Sequence, residues 1–253
     1  MDGGTGVRSV LTAMRVLERL AEPGIVGVSE LARDLELPKS SVQRMLRTLQ
    51  EGGWAVEVRD QTTRWTLTPK MFQVGQRHHV GHDIREVARP VMEHLWEETR
   101  ETIHLAAVRG DSVFVLERLE SPQGVRAHIS VGMLIPLPAS ANGRALLSTW
   151  SDDEIEELLS RGLTAYNSHT ITDTSALIAA IDQARNRGYA VNDQQWREGV
   201  HAVAAPIIVA GVGVAGVGIS TPAQRISTEL EEKYGNLVVE AARAIAHGLG
   251  EAR

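Results

Sequence analysis

The sequence predicts an α+β protein with an N-terminal winged helix-turn-helix and a larger C-terminal antiparallel sheet flanked by helices. Three observations predict this fold. Residues 28–53 contain a short helix, a tight break and a second amphipathic helix, and two short β-branched runs follow directly. From residue 84 onwards, strand patterns alternate with helical patterns in a way that does not suit a parallel βαβ array. The 253 residues are enough for two domains.

The second helix of this motif, within Leu37–Leu49 (LPKSSVQRMLRTL), has a polar side rich in hydrogen-bond donors. Pro38 suits its first turn, Gly52 and Gly53 end it, and no acid occurs in residues 37–50. Arginine reads guanine and glutamine reads adenine, while lysine and serine suit phosphates, so we predict a DNA-recognition helix. The alternative is a solvated helix of a two-helix corner. The predicted DNA contacts on this helix are Lys39, Ser40, Ser41, Gln43, Arg44 and Arg47.

The two runs after this helix, Trp54–Val58 and Arg64–Leu67, predict a hairpin of the kind that forms the wing. Arg59 and Arg64 at its tip are predicted to reach phosphates or the minor groove. Ser9–Ala21 predicts a supporting helix, and Arg8 in the glycine-rich arm before it is a further predicted DNA contact. The predicted buried face of the supporting helix consists of Val10, Ala13, Met14, Leu17 and Leu20.

Charge and composition limit the functional classes. The net charge is −6, with a slightly basic segment through Val80 and an acidic remainder, which suits a sequence-specific DNA reader. The chain has no cysteine, so disulfides and thiolate chemistry are excluded. We find no signal peptide pattern and no long apolar span, and therefore expect a cytoplasmic protein with no membrane partner.

The remaining pattern predicts a helix at Ile84–Thr99 and another at Thr174–Arg187. Predicted strands lie at Ile103–Val108, Ser112–Leu119, Val125–Val131, Tyr189–Val191, Val200–Val209 and Val212–Ser220.

At this point the chain resembles the IclR-type bacterial transcriptional regulators. The resemblance is carried by Leu37–Leu49, by GMLIPLPASANGRALLS at Gly132–Ser148, by GYAVNDQQWREGVHAVAAPI at Gly188–Ile207 and by GVGISTPAQRI at Gly216–Ile226. It implies a winged helix-turn-helix over residues 1–69, a linker helix over 70–83 and a GAF-like effector and oligomerisation domain over 84–253. It also implies a homodimer or homotetramer that represses or activates operons, binds double-stranded operator DNA and responds to a small organic acid.

The resemblance also implies an effector pocket. Ser140 can cap the helix beginning near Ala141, which would leave the amides of Ala141, Asn142 and Gly143 free at the positive end of that helix for a carboxylate. Matched motif to motif, the pocket residues are Ala141, Asn142, Asn192, Ala202, Gly218 and Ser220, with Gly124 and Ala127 as its apolar wall.

The chain departs from the family pattern inside this pocket. The family usually has Asp where Asn192 stands, often Cys near Ala202 and often Ser near Gly218, and it favours acids at Gln194 and Gln195. Smaller and less polar side chains predict a larger, drier pocket. We therefore expect an effector bulkier than a two- or three-carbon keto acid, such as an aromatic acid, unless these substitutions are neutral.

Other motifs support different functions less well. Gly211, Gly213 and Gly216 fit G-x-G-x-x-G, but the alternating pattern around them predicts a glycine-rich hairpin rather than a dinucleotide site. Two alternative classes stay open: an architectural DNA-binding protein with a non-sensing dimerisation domain, and a small-molecule enzyme with structural N-terminal helices. We find no acid–base constellation and no G-x-S-x-G nucleophile elbow, and predict no catalytic residue and no cofactor.

We predict no metal site at the histidine cluster of the linker. His78 and His82 lie one helical turn apart and adjoin His79 and Asp83, a spacing that could bind a metal ion. Polar linker histidines are commoner than metal ligands, so we expect none here. His104 is predicted to lie on a strand surface.

Overall fold

The chain divides into two compact units, Met1–His79 and Val80–Arg253, and the division falls inside the stretch that the sequence predicts as a linker. The α+β class is confirmed: helices and a small sheet form the first unit, and a larger antiparallel sheet with helices forms the second. This architecture is seen in a computed structural model, which describes residues 7–22, 25–59, 62–76, 84–123 and 129–251.

The first unit is a helix-turn-helix followed by a hairpin. Its described helices are α1 (Arg8–Leu20), α2 (Val28–Asp34), α3 (Lys39–Glu51) and α4 (Lys70–Gln76). Its antiparallel sheet has the order β1-β3-β2, made of β1 (Val26–Gly27), β2 (Ala55–Arg59) and β3 (Thr63–Leu67). The sequence patterns predicted α3 and the β2–β3 hairpin, and did not predict β1.

The core of this unit holds α3 against the other helices by its apolar side. Val42 and Leu46 of α3 are buried against Val16 of α1 and Leu31 of α2, with Trp65 of β3 beneath them. Burial of large apolar side chains at helical spacing fixes which face of α3 turns inward.

One sequence expectation about α1 is wrong and another is right only in part. The helix already includes Arg8, so this residue lies on the first helical turn and not in an arm before it. Of the predicted buried face, Leu20 is buried and Leu17 packs against the core, whereas Val10 and Met14 are exposed and the buried Val16 was not predicted. The predicted face was rotated because the helix presents apolar residues on two sides.

The second unit is built on a six-stranded antiparallel sheet with the order β6-β5-β4-β9-β8-β7. Its strands are β4 (Thr102–Arg109), β5 (Ser112–Leu119), β6 (Leu134–Pro136), β7 (Ala190–Asp193), β8 (Val200–Val209) and β9 (Val212–Pro222). Its described helices are α5 (Ile84–Thr99), α6 (Ala141–Leu147), α7 (Asp152–Leu159), α8 (Thr174–Arg187) and α9 (Thr228–Glu251), with a 3-10 turn at Ala223–Arg225.

Alternation along the strands sends side chains to two different cores. On β8, Val203 and Ala205 turn toward the layer of α5 and α9, and Ala204 turns toward α6 and α8. This two-sided burial follows from the period-2 geometry of a strand. The face covered by α6 and α8 contains the candidate effector site.

Of the remaining predicted elements, the glycine-rich hairpin is right and one strand is wrong. The glycine-rich hairpin is confirmed, because β8 and β9 pair directly and Gly211 occupies the turn with φ of 80°. The strand predicted at Val125–Val131 is wrong where it can be checked, because residues 129–131 form no strand and β6 begins only at Leu134. Residues 124–128 lie outside the described residues, as do residues 77–83 of the predicted linker helix.

Candidate functional site

The outer face of α3 is exposed and free of acids. Lys39, Ser40, Gln43, Arg44 and Arg47 are exposed, and Ser41 is half-buried. Among the residues that the structure describes, neither Arg44 nor Arg47 has an acidic partner for its side chain. Unpaired guanidinium groups on an exposed helix face are available for base edges or phosphates.

The acids of α2 are occupied elsewhere. Arg19 of α1 lies 2.8 Å from Asp34 and 3.7 Å from Glu30, and its hydrogen bond to Asp34 raises the pKa of Arg19 above its ordinary value. Arg64 of β3 lies 3.6 Å from Glu30. The guanidinium of Arg64, a predicted DNA contact, is therefore partly exposed and lies beside an acid of α2.

The remaining predicted DNA contacts, Arg8 and Arg59, lie at the start of α1 and at the end of β2. Arg8 is exposed at the start of α1. Arg59 closes β2 by its backbone, while its side chain and residues 60–61 at the predicted wing tip lie outside the described residues.

An apolar patch lies on α1 and on the residue before it. Val7, Val10, Leu11 and Met14 are exposed by 64%, 49%, 58% and 54%. Large apolar side chains clustered on one surface indicate a protein contact.

In the second unit, three predicted pocket residues form one row across adjacent strands. Ser220 of β9 pairs with Ala202 of β8, and Ala202 pairs with Asn192 of β7. In the next row of the sheet, Gly218 lies between His104 of β4 and Ala204 of β8. The sheet register therefore brings together residues far apart in the chain.

The loop before α6 is fixed from two sides. Ser140 caps α6 as predicted, with its Oγ accepting from the Gly143 amide at 3.0 Å. This amide is consequently occupied and not free for a ligand, which corrects part of the expected carboxylate site. The Asn192 side-chain amide donates to the Ala139 carbonyl and ties the loop to β7. A Cβ on Gly143 would lie 1.9 Å from the Leu137 carbonyl oxygen, so glycine serves backbone packing here.

A small cavity lies over this part of the sheet. Ala141, Asn142, Asn192, Ala202 and Ser220 all line it. Gly218 does not line it, and Asn142 and Ala204 occupy the space that a Cβ at this position would need. Gly124 and Ala127 lie outside the described residues. The remaining lining residues, not predicted from the sequence, are His104, Ile129, Ile135, Ser140, Trp196, Arg197 and Val200.

The cavity encloses about 30 Å³, enough for a water molecule but not for an aromatic acid. The expected enlargement of the pocket is therefore not present in this conformation. Small side chains at Ala202 and Gly218 did not leave space, because Asn142 packs across β9 close to Gly216 and Gly218.

His104 is buried within the sheet, which contradicts its predicted place on a strand surface. It is 2% exposed, and its Nδ1 lies 3.4 Å from Ser220 Oγ. Burial, with the nearby Arg118 guanidinium, lowers the pKa of His104 to about 3. The imidazole is therefore neutral at physiological pH, and its Nε2 has no partner among the described residues.

A larger groove of about 380 Å³ lies elsewhere, between the ends of α6 and α8, the β8–β9 hairpin and α9. Its Arg185 is already bonded to the Trp150 carbonyl at 2.8 Å and to Asp152 at 3.0 Å. None of the described residues that line this groove has a buried polar side-chain atom without a hydrogen-bond partner, so the smaller cavity is the better ligand site.

Over the described ranges, no group of three or more His, Cys, Asp or Glu side chains could hold a metal ion. His78, His79, His82 and Asp83 are not among those residues. No described helix is both long enough and apolar enough to cross a membrane.

Comparison with known proteins agrees with these features. The model of the IclR helix-turn-helix domain matches residues 9–59, and the model of the bacterial transcriptional regulator IclR C-terminal domain matches residues 76–247. The chain is 33% identical to the HTH-type transcriptional regulator KdgR of Escherichia coli over 96% of this chain and 93% of that protein. It is also 33% identical to the regulator BhcR of Paracoccus denitrificans over 98% and 89% of the respective chains.

A solved structure extends the comparison. An IclR homologue from Microbacterium hydrocarbonoxydans, crystallised with 4-hydroxybenzoate, is similar with a TM-score of 0.85 and 26% identity, over 96% of this chain and 99% of that one. The family models together span most of the sequence and include both the helix bearing Arg44 and the strands around the cavity. The chain therefore belongs to the IclR family of bacterial transcriptional regulators, with a helix-turn-helix DNA-binding domain and an effector-binding C-terminal domain.

Proposed function

We propose that this regulator reads its operator through α3 and that a small organic monoanion bound in the cavity changes its operator affinity. The observation that carries the DNA part is the acid-free face of α3. In this proposal Gln43, Arg44 and Arg47 read base edges. Phosphate and peripheral contacts come from Lys39, Ser40, Ser41, Arg8, Arg59 and Arg64.

The apolar patch on α1 supports a homodimer. Pairing through Leu11 and Met14 would remove exposed apolar surface from water and place two α3 helices in successive major grooves. We assign residues 1–69 to DNA binding, 70–83 to a linker helix and 84–253 to effector binding and oligomerisation. The protein works in the cytoplasm, where its operator is.

The chemistry of the cavity favours an aromatic carboxylate. No Asp or Glu is among its described lining residues, His104 is neutral, and Arg197 supplies a positive charge beside the Trp196 ring. A carboxylate pairs well with a guanidinium, and an aromatic ring packs well against tryptophan. The 4-hydroxybenzoate complex of the Microbacterium relative supports the same class of ligand.

One observation favours a second candidate function, an architectural DNA-binding protein with a non-sensing C-terminal domain. The cavity of about 30 Å³ is too small for any organic acid as it stands. An enzyme is disfavoured, since the relatives are transcriptional regulators.

The DNA assignment is tested by a gel shift at physiological salt, with an operator selected by the wild-type chain from random duplexes. Loss of a bidentate contact to guanine costs about 1–3 kcal/mol, so Arg44→Ala should weaken operator binding about 5- to 150-fold. Arg33→Ala is the matched control, because Arg33 is an exposed arginine on α2 outside this face. Equal retention of the operator by Arg44→Ala and wild type would contradict the assignment.

The effector assignment is tested by thermal shift and operator titration with benzoate, 4-hydroxybenzoate, pyruvate and glyoxylate. A ligand of the folded state at one hundred times its Kd stabilises the protein by about 2.7 kcal/mol. We expect the aromatic acids to raise Tm and to change operator affinity. If none of the four acids changes either quantity, the architectural function is the correct one. Tight binding of pyruvate alone would contradict the aromatic preference.

A further inference from the structure

The loop between β7 and β8 closes the cavity with an aromatic and a basic side chain. We call residues 194–199 the lid. Trp196 and Arg197 both line the cavity, and the Arg197 guanidinium lies over the Trp196 ring, 4.3 Å from its centroid. Arg197 Nη2 also lies 3.8 Å from the sulfur of Met133, which directly precedes β6. Because the cavity beneath holds about 30 Å³, an organic acid can enter only if lining side chains move, and the lid contributes two of them from a loop.

The lid is held by neutral hydrogen bonds. Asn167 donates to the Gln194 carbonyl at 2.9 Å, and Thr170 Oγ1 donates to the Gln195 carbonyl at 2.7 Å. The Gln194 side-chain oxygen accepts from the Gly199 amide at 3.0 Å. These bonds preserve the shape of the lid and connect it to the segment before α8.

The lid is also bonded to a buried cation. Arg144 of α6 is 1% exposed, and its Nη2 donates to Gln195 Oε1 at 2.6 Å and to the Val191 carbonyl. Gln195 Oε1 also accepts from the Asp193 amide at 3.0 Å. Burial, and secondarily the charge of Arg187, lowers the pKa of Arg144 to about 10.

The partners of Arg144 are unusual for a buried arginine. Both acceptors are neutral, and Arg144 Nε has no partner among the described residues. Buried charges are ordinarily paired with an opposite charge. The contact between Arg144 and Gln195 joins an ion to a neutral amide, so it lacks the attraction between opposite charges that a carboxylate at the same position would add.

We propose that the lid is the gate of the effector cavity, that Arg197 binds the effector's carboxylate, and that the Arg144–Gln195 bond, which has no opposite charge on the lid side, is the latch whose release opens the gate. This proposal rests on the effector role proposed above. It assigns Arg197 and Trp196 to ligand recognition and makes Gln195 a positioning residue that acts through Arg144.

The recognition step is tested by calorimetry on the full chain with 4-hydroxybenzoate and its uncharged analogue 4-hydroxybenzamide. Arg197→Gln should bind the acid at least about 10-fold more weakly and bind the amide within about 2-fold of wild type. Arg100→Gln is the matched control, because Arg100 also lies over a tryptophan, 4.9 Å from the Trp96 ring, and does not line the cavity. Unchanged affinity of Arg197→Gln for the acid would overturn the assignment.

The latch is tested without any ligand, by hydrogen exchange of the full chain. Gln195→Glu gives Arg144 a carboxylate, so amides in residues 193–199 should exchange about 10-fold more slowly than in wild type. Gln195→Met is the matched comparison, because a methionine of similar size is only a weak acceptor for Arg144 Nη2, so the same amides should exchange faster than in wild type. Equal exchange in the two variants would overturn the latch.

The two measurements separate this proposal from the effector role itself. If an acid binds wild type and Arg197→Gln equally well, the effector role stands and Arg197 is not the carboxylate partner. If neither 4-hydroxybenzoate nor the other three acids bind wild type, the effector role and the Arg197 assignment fall together. The exchange comparison decides the latch in either case.

Discussion

The buried imidazole of His104 should make the second unit sensitive to acid. Its pKa is about 3 in the folded chain, against an ordinary value of 6.5, because burial and the Arg118 guanidinium both disfavour the charged form. The unfolded chain therefore binds a proton between these two values while the folded chain does not. The stability from this residue is present above pH 6.5 and is lost progressively as pH falls toward 3.

The size of the effect follows from the two pKa values. At about pH 5 nearly all unfolded chains carry the proton and about one folded chain in a hundred does, so folding loses about 2 kcal/mol relative to neutral pH. For a unit of this size the loss corresponds to a fall in Tm of about 4–8 °C. Burial raises the pKa of Glu101, so this residue stabilises the folded chain as pH falls. Its effect is the same in wild type and in a variant that lacks the His104 imidazole.

The assay is calorimetric unfolding of the full chain at about pH 7 and pH 5. His104→Gln removes the titrating group, so its Tm should fall less than that of wild type by about the stated amount. His169→Gln is the matched control, because His169 is an exposed histidine of the same unit. If wild type and His104→Gln lose the same Tm on acidification, the imidazole is not held neutral by burial and the reasoning fails.

Three further predictions concern packing, pairing and DNA. Gly143→Ala places a Cβ 1.9 Å from the Leu137 carbonyl oxygen, so it should lower the free energy of unfolding by about 1–3 kcal/mol, measured by thermal unfolding. The control is Gly250→Ala, whose Cβ meets open space and which should be neutral or slightly stabilising. Met14→Glu puts a charge into the α1 patch and should weaken operator binding about 10-fold or more if that patch pairs two copies; unchanged affinity would exclude it from the interface. Lys39→Ala should reduce the salt slope of operator binding by about 1 without changing sequence preference, and an altered preference would show that Lys39 reads bases.

Elements with a single apolar face could be predicted from the sequence. The bounds predicted for Ile84–Thr99 and Ser112–Leu119 agree with α5 and β5. The recognition helix was predictable because its apolar and donor-rich faces are separate. Local periodicity determines such elements, since each side chain faces either the core or solvent.

Elements with two apolar faces, or with cores on both sides, were not predictable in the same way. The strand β4 is buried on both faces, so alternation could not place His104 at a surface. Periodicity also could not predict which residues form the cavity wall. Ser220, Ala202 and Asn192 are neighbours only because of the register of three strands. The family pattern, rather than periodicity, indicated these residues.

The lid was within reach of the sequence but needed a different signal. Trp196 and Arg197 are an aromatic and a basic residue next to each other in a polar loop directly after the predicted pocket strand. Such a pair on a loop beside a pocket is a candidate ligand clamp, because loops bear binding residues more often than the elements they connect. The partner of Gln195 could not be foreseen, since Arg144 lies on a helix about fifty residues earlier.

The charge distribution explains why the local sites, and not the chain as a whole, determine what this protein binds. The chain carries a net charge of −6, which repels both DNA and organic anions at long range. The face of α3 nevertheless lacks acids, because residues 37–50 contain no Asp or Glu, and Glu30 and Asp34 of α2 lie beside Arg19. The described cavity lining likewise lacks acids and contains Arg197. Added salt screens the long-range repulsion and also weakens phosphate contacts, so it should reduce operator affinity far more than the affinity of a partly buried carboxylate for Arg197.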